Sequence, residues 1–402
     1  MKFLFTSALI LFLGFNTILS AQTDKIEETK PVGYQFTELI NVPHSGVRNQ
    51  YRSGTCWSYS GLALIEAEMI RKGKAETNLS EMFVVHHSYY DKAIKYVRMH
   101  GKLNFGGGGA INDVTDVMRA YGMVPDTVYK GLQYGEENNV HGEMDALLLA
   151  MVNSVIENKN KKLSPVWPQA IEGAISAYLG SIPEKFNYLG KEYTPQTFMT
   201  NYMDINPDDY IMFTSFTHHP YYQAFAIEVE DNWSYGNVYN LPLNEMMDII
   251  DANLKAGYTI GWAADVSEKG FSWKNGVAIV PEVEAKSMND LEQSKWEKLD
   301  KKEQAKLLYS FDQPRTEKII TQDVRQKAFD NYETTDDHGM LIVGTAKDQN
   351  GNLYYKIKNS WGIDQKYDGY FYASKAFVEY KTMSIMVNKA NNGKALNKKL
   401  NL

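Results

Sequence analysis

The spacing of apolar positions divides the chain into helical and strand-like stretches. Leu62, Ile65 and Met69 recur at three-to-four spacing, which predicts a helix that Gly73 ends, with Glu66 and Glu68 flanking the stripe. Met144, Leu147, Leu148, Met151 and Val155 repeat that spacing, and Pro165 opens a further helix through Ala177. From Asp209 onward the apolar runs shorten into predicted strands: Tyr210 to Phe213, Ala224 to Val229, Tyr258 to Ala263 and Val277 to Val280. His338 then precedes the run Met340 to Val343, and Tyr354 to Lys358 alternates as a second strand ending at Asn359. Helices followed by strands predict an α+β architecture. Residues 285–330 are rich in charge and are expected to form a solvated helical excursion.

The N-terminus departs from this pattern. A basic start at Lys2, a mostly apolar run from Phe3 to Ile18 and a small-residue end at Ser20-Ala21 predict a signal peptide over 1–21, and hence a periplasmic or secreted protein. No later stretch approaches the ~18 apolar residues that cross a bilayer, so no membrane span is expected. With 13% aromatic residues and only 12 Pro, the chain is neither disordered nor collagen-like. A net charge of -7 argues against nucleic acid as a partner. The chain has one cysteine, Cys56, so no internal disulfide forms and stability must come from the core. A lone thiol in an oxidising compartment invites overoxidation, which raises the question of its use.

Cys56 lies in Gly54-Thr55-Cys56-Trp57, at the start of the first predicted helix. There the macrodipole and free N–H groups favour an anion, so a lowered thiol pKa is expected. Thiolate attack on a carbonyl needs a proton carrier, a group that orients it, and donors for the oxyanion. His338 and Asn359, on neighbouring strands, offer the first two. Asn359 accepting from one ring nitrogen leaves the other to face Cys56, while Trp361 shields that bond from water. Asp337, beside His338, either tunes the imidazolium or stays a solvated carboxylate. His86-His87 and His218-His219 are adjacent pairs that cannot both face one metal from a regular helix, so no metal is expected. The glycine run 106–109 lacks the Lys-Ser/Thr of a phosphate loop, so no nucleotide cofactor is expected either.

These motifs resemble the papain superfamily of cysteine peptidases. Gly54-Thr55-Cys56-Trp57 is similar to its nucleophile motif, His338 to its general base, and Asn359-Ser360-Trp361-Gly362 to its orienting motif. Gln50, six positions before Cys56, matches the oxyanion glutamine that acts with the Cys56 N–H. Gly108-Gly109, twelve residues before Tyr121-Gly122, resembles the glycine pair that admits substrate backbone as an added strand. Gly108, Gly109 and Trp361 are thus the implied substrate-side residues. His338 follows Cys56 by 282 positions, against about 130–150 in papain and cathepsins. Together with Ile182-Pro183-Glu184-Lys185-Phe186 and Tyr193 to Phe198, this length resembles the bleomycin hydrolase and bacterial aminopeptidase C branch.

The resemblance implies a two-lobed papain-like domain over 22–402. Its helical lobe spans about 50–125, a helical insertion about 126–205, and a sheet lobe about 206–390. It implies a thiol peptidase acting on peptides through an acyl-enzyme, an aminopeptidase without cofactor, and a homo-oligomer as the assembly of that branch. A broad-specificity endopeptidase is the alternative enzyme, and a peptide- or glycan-binding protein retaining the fold the alternative without turnover. In that branch a C-terminal arm carries its carboxylate to the substrate amine. The tail from Asn388 to Leu402 is short and polar and differs from such an arm.

Overall fold

All thirteen residues from Trp57 to Met69 are buried, so the first predicted helix stands inside the protein rather than on it. A computed structural model describes residues 33–160, 162–282, 296 and 298–402. The signal peptide expected over 1–21 and the first part of the charge-rich segment lie outside them. Strand β1 (Phe36–Asn41) comes first. Helix α1 (Cys56–Arg71) follows a turn at Gly54, whose φ of +68° is left-handed backbone that only glycine adopts without cost to a Cβ. Glu66, expected to flank the stripe, is buried with α1 because its carboxylate accepts from the Leu79 N–H at 2.8 Å and the Ser45 hydroxyl at 2.5 Å.

Helices α2 (Glu81–Arg98) and α3 (Asn112–Tyr121) pack on α1, while α4 (Gly142–Ile156) and α5 (Trp167–Leu179) pack on α2. Met144, Leu148, Val152, Ile171 and Ile175, at helical spacing in the sequence, form the buried faces of the last two. A hairpin of β2 (Phe186–Tyr188) and β3 (Lys191–Tyr193) and the short α6 (Pro195–Thr197) close the helical part.

The remaining strands are β4 (Tyr210–Thr214), β5 (Ala224–Ala226), β6 (Asn237–Asn240), β7 (Ile260–Ala264), β8 (Phe271–Ser272), β9 (Val277–Ala278), β10 (His338–Asp348), β11 (Leu353–Lys358), β12 (Tyr370–Ser374) and β13 (Thr382–Asn388). Among them run α7 (Leu243–Lys255), α8 (Lys301–Leu308), α9 (Gln322–Asp330) and α10 (Lys375–Lys381), and α11 (Lys394–Leu400) ends the chain. They form one sheet in the order β5-β6-β4-β13-β7-β10-β11-β12-β9-β8, with β1 added on β10. The α+β class expected from the order of periods is observed.

Strand β10 is the spine of this sheet. Its first half pairs with β7, from His338 opposite Ala264 to Ile342 opposite Ile260; its second half pairs with β1, and its other edge with β11. Leu341 and Val343 point into the core shared with α1, and Met340 and Ile342 into the core under α7 and α10. The period of two thus serves two cores, which explains a nearly continuous apolar run. At Gly339, β10 touches α1: an added Cβ would lie 2.7 Å from Ser60 Oγ and 3.2 Å from Trp57 Cα. The tail turns away from this contact, with Leu400 buried in the second core and Lys399 paired with Glu245 of α7 at 2.9 Å.

Gly339→Ala should therefore force α1 and β10 apart. A loss of about 1–3 kcal/mol in unfolding free energy is expected in urea denaturation, the range for overpacking a well-filled core. An unchanged midpoint would mean that the contact carries no constraint.

Candidate active site

The contact at Gly339 places His338, the first residue of β10, beside Cys56, the first residue of α1. Pairing of β10 with β11 brings in Asn359, one residue past the strand end. His338 Nε2 donates to Asn359 Oδ1 at 2.7 Å, and the same oxygen accepts from the Ser360 N–H at 2.8 Å. Asn359 is itself anchored by its N–H on the Gly369 carbonyl, 3.1 Å. This bond holds the proton on Nε2 and leaves Nδ1 as the acceptor. The Trp361 ring lies 4.6 Å from the His338 ring at 33°, covering it.

Gln50 arrives on a third segment. An antiparallel bridge between Asn49 and Trp361 lays it along Ser360: the Gln50 N–H donates to the Ser360 carbonyl at 2.8 Å, and Ser360 Oγ donates to Gln50 Oε1 at 2.6 Å. With its carbonyl end occupied, the Gln50 side chain has its NH₂ left to donate. Arg48 pins the segment through Glu81 at 2.9 Å and Asp126 at 3.0 Å. The roles of Ser360 and Arg48 as supports have no signal in the sequence beyond their neighbours.

Cys56, His338 and Gly109 line one narrow cavity, and Gln50, Asn359 and Trp361 are not part of its lining. Gly108 differs from expectation. A Cβ there would fall 2.1 Å from Asp231 Oδ1, so this glycine admits a carboxylate. Asp231 sits on a loop where the sequence predicts a strand through Val229. The strand stops at Ala226 because buried Asn232 ties the loop to itself, donating to the Ile227 and Gly236 carbonyls, both at 3.1 Å. Trp233 fastens the loop to α3 through Asp113, 2.7 Å. Asp336, two residues before His338, also lines the cavity. Lys92, buried on α2, donates to the carbonyls of Gly106, at 2.9 Å, and Gly108.

The electrostatics correct the expectation drawn from the helix dipole. Burial pushes the Cys56 thiol up to about 12, outweighing the Gly339 and Trp57 N–H groups that favour the thiolate, and Asp336 and Asp231 push the same way. Burial likewise pushes His338 down to about 4 against the help of Asn359 and Asp337. Each charge is disfavoured when formed singly; formed together by proton transfer, they neutralise one another. Burial, then the charges of Asp231 and Asp337, pushes Asp336 up to about 7. Asp337 is occupied elsewhere, accepting from the Val266 and Ser267 N–H groups at 3.1 and 2.9 Å.

The reading of His218-His219 also changes. They lie on a bend rather than a helix, and both reach Glu228, at 3.1 and 2.7 Å. These three residues offer ligand atoms within 4.8 Å of one another. Yet His218 Nδ1 faces the donor amide of Gln326 at 3.0 Å, which keeps the proton on Nε2. A metal-bound histidine ordinarily donates from its second nitrogen, so this order does not fit a ligand.

The Peptidase C1-like family model matches residues 182–310 and 308–401, more than half of the chain, including His338 and Asn359 but not Cys56 or Gln50. Aminopeptidase G of Lactobacillus delbrueckii subsp. lactis is 22% identical over 394 residues, covering 88% of this chain and 82% of that protein. Aminopeptidase C of Lactococcus lactis subsp. cremoris is 23% identical over 388 residues, covering 87% and 82%. The crystal structure of PepW from Lactobacillus rhamnosis HN001 superposes with a TM-score of 0.68 at 18% identity, over 91% of this chain and 84% of that one, so the folds agree.

The raised Asp336 yields a stability prediction. Its ordinary value is 3.8, so the unfolded chain ionises first, and folding is penalised increasingly as pH rises from about 3.8 to about 7. Asp336→Asn should raise Tm at pH 8, with the gain vanishing towards pH 4. A gain equal at both pH values would show that charge burial is not its cause.

Proposed function

Because the chain belongs to the Peptidase C1-like family, we propose that it is an exported thiol aminopeptidase working through an acyl-enzyme at Cys56. The observation that carries this reading is the His338–Asn359 bond, 2.7 Å, on the strand that Gly339 seats against the Cys56 end of α1. In the proposed reaction, Cys56 Sγ attacks the peptide carbonyl carbon while its proton passes to His338 Nδ1. The oxyanion receives hydrogen bonds from the Gln50 amide and the Cys56 N–H. His338 returns the proton to the departing amine as the C–N bond breaks, leaving a thioester. Water then attacks the thioester, gives a proton to His338, and the C–S bond breaks to restore the thiol and release the acid.

Aminopeptidase action is favoured by the names of the relatives, and export by the composition of residues 1–21. The Cys56, His338, Asn359 and Gln50 set favours an enzyme over a binding protein that kept the fold. Homo-oligomeric assembly belongs to the same proposal and is open to light scattering.

Iodoacetamide should alkylate Cys56 and abolish hydrolysis of an aminoacyl coumarin amide; full activity after complete alkylation would end the reading. His338→Ala removes the proton carrier and should lower turnover by roughly 100-fold or more. Asn359→Ala frees the ring to turn and should cost less. If Asn359→Ala were the more damaging in a folded protein, base and orienter would have been assigned wrongly.

A further inference from the structure

The cavity holding Cys56 and His338 shares a wall, formed by Val229, Asp231 and Asp336, with a second cavity of about 570 Å³. That second cavity is acidic. Of its five carboxylates, Glu228 accepts from His218 and His219, Asp330 accepts from the Gln326 amide at 2.8 Å, and Glu230 is exposed. The two in the shared wall, Asp231 and Asp336, are half-buried and keep carboxylate oxygens free. Asp231 accepts from the Asn104 amide at 3.1 Å, and Asp336 accepts no hydrogen bond from the described residues. Lys92, the buried cation nearby, directs its ammonium to the Gly106 and Gly108 carbonyls. Thr334 adds an independent sign of a missing partner: it lines the second cavity, is 2% exposed, and its hydroxyl has no partner. Buried polar groups are normally paired, so the Thr334 hydroxyl left open beside two half-buried carboxylates points to a bound donor.

We propose that Asp231 and Asp336, with the Thr334 hydroxyl behind them, bind the α-ammonium of the substrate residue whose carbonyl Cys56 attacks. An ammonium offers three donors and no acceptor, which suits the free carboxylate oxygens of Asp231 and Asp336 and the Thr334 hydroxyl. Distance selects the α-ammonium over a basic side chain. The α-nitrogen lies about 2.5 Å from the carbonyl carbon, so its anchor must border the cavity that contains Sγ. Asp231 and Asp336 do so. A lysine or arginine side chain would instead extend towards Glu228 and Asp330, which are already partnered, and Glu230, which is exposed to solvent. Asp231 reaches the wall because Gly108 has no Cβ. The tail is placed elsewhere: Lys399 is paired with Glu245, and Leu402 does not line the cavity. Specificity for a free chain end is thus built from side chains of the loop after β5 and the approach to β10.

This inference rests on the thiol-peptidase reading, and its test separates the two. Leucyl and N-acetyl-leucyl coumarin amides are compared on the whole protein, Asp231→Asn, Asp336→Asn and the double variant. The unmutated protein should prefer the free amine. Each single variant should lower the ratio of kcat/KM for free to acetylated substrate by about 10-fold and the double variant by about 100-fold, as expected for charge-assisted hydrogen bonds. An unchanged ratio in the double variant, or a protein that cleaves the acetylated substrate equally well, overturns the anchor while leaving the peptidase reading intact. Calorimetry on Cys56→Ala protein needs neither turnover nor an Asp variant. Leucinamide should bind at least about 10-fold tighter than N-acetylleucinamide. Absence of all hydrolysis would refute the peptidase reading, and the anchor would then stand or fall on this binding preference, equal binding overturning it.

Discussion

The close approach of Gly339 to Trp57 and Ser60 is the constraint on which the rest depends. It seats β10, the longest strand of the sheet, on the most buried helix. Because β10 alternates its side chains between two cores, a shift there would disturb both at once. The same contact determines where the first residue of each element lies. Cys56 and His338, far apart in sequence, meet because each opens its element at the point where the elements touch. Asn359, Ser360 and Gln50 follow through β-pairing: β11 on β10, and the Asn49 bridge on Trp361.

Burial at this junction has an electrostatic consequence. A thiol pushed up and an imidazole pushed down make a resting pair that is neutral when considered one charge at a time. Proton transfer changes the balance by creating opposite charges together, with N–H groups at the thiolate and Asn359 at the imidazolium. The helix terminus supports the thiolate but does not suffice alone. Asp231 and Asp336 oppose it, and their unpaired charge lowers stability, a cost of the kind found where a site awaits a charged ligand.

Much of the fold was legible because its strongest signals were periodic. The helical spacing in α1 and α4 and the strand runs at 210–213 and 258–263 correspond to observed elements. The pairing of His338 with Asn359 was legible because two adjacent strands carried them. Other features depended on tertiary contacts that leave no local trace. The predicted strand at 224–229 is cut short by Asn232, a polar residue that satisfies loop carbonyls instead of extending a ladder. Asp231 reaches the cavity only through that loop, and no spacing relates it to Cys56. Asp336 did carry a signal, its two-residue offset from His338, which places both on one side of extended chain. His218 and His219 lie where the chain bends, a setting that their adjacency in the sequence does not reveal.

On the proposed mechanism, Cys56 owes its reactivity to His338 across the α1–β10 contact rather than to the helix terminus. The pH dependence of Cys56 alkylation by iodoacetamide, measured from pH 4 to 10 on the unmutated protein and on His338→Ala, tests it most directly. The unmutated protein should react readily below about pH 7, where a thiolate–imidazolium pair persists. Reactivity of His338→Ala should rise only above about pH 9, beyond the ordinary thiol value of about 8.5. Coincident profiles for the two proteins would contradict the claim.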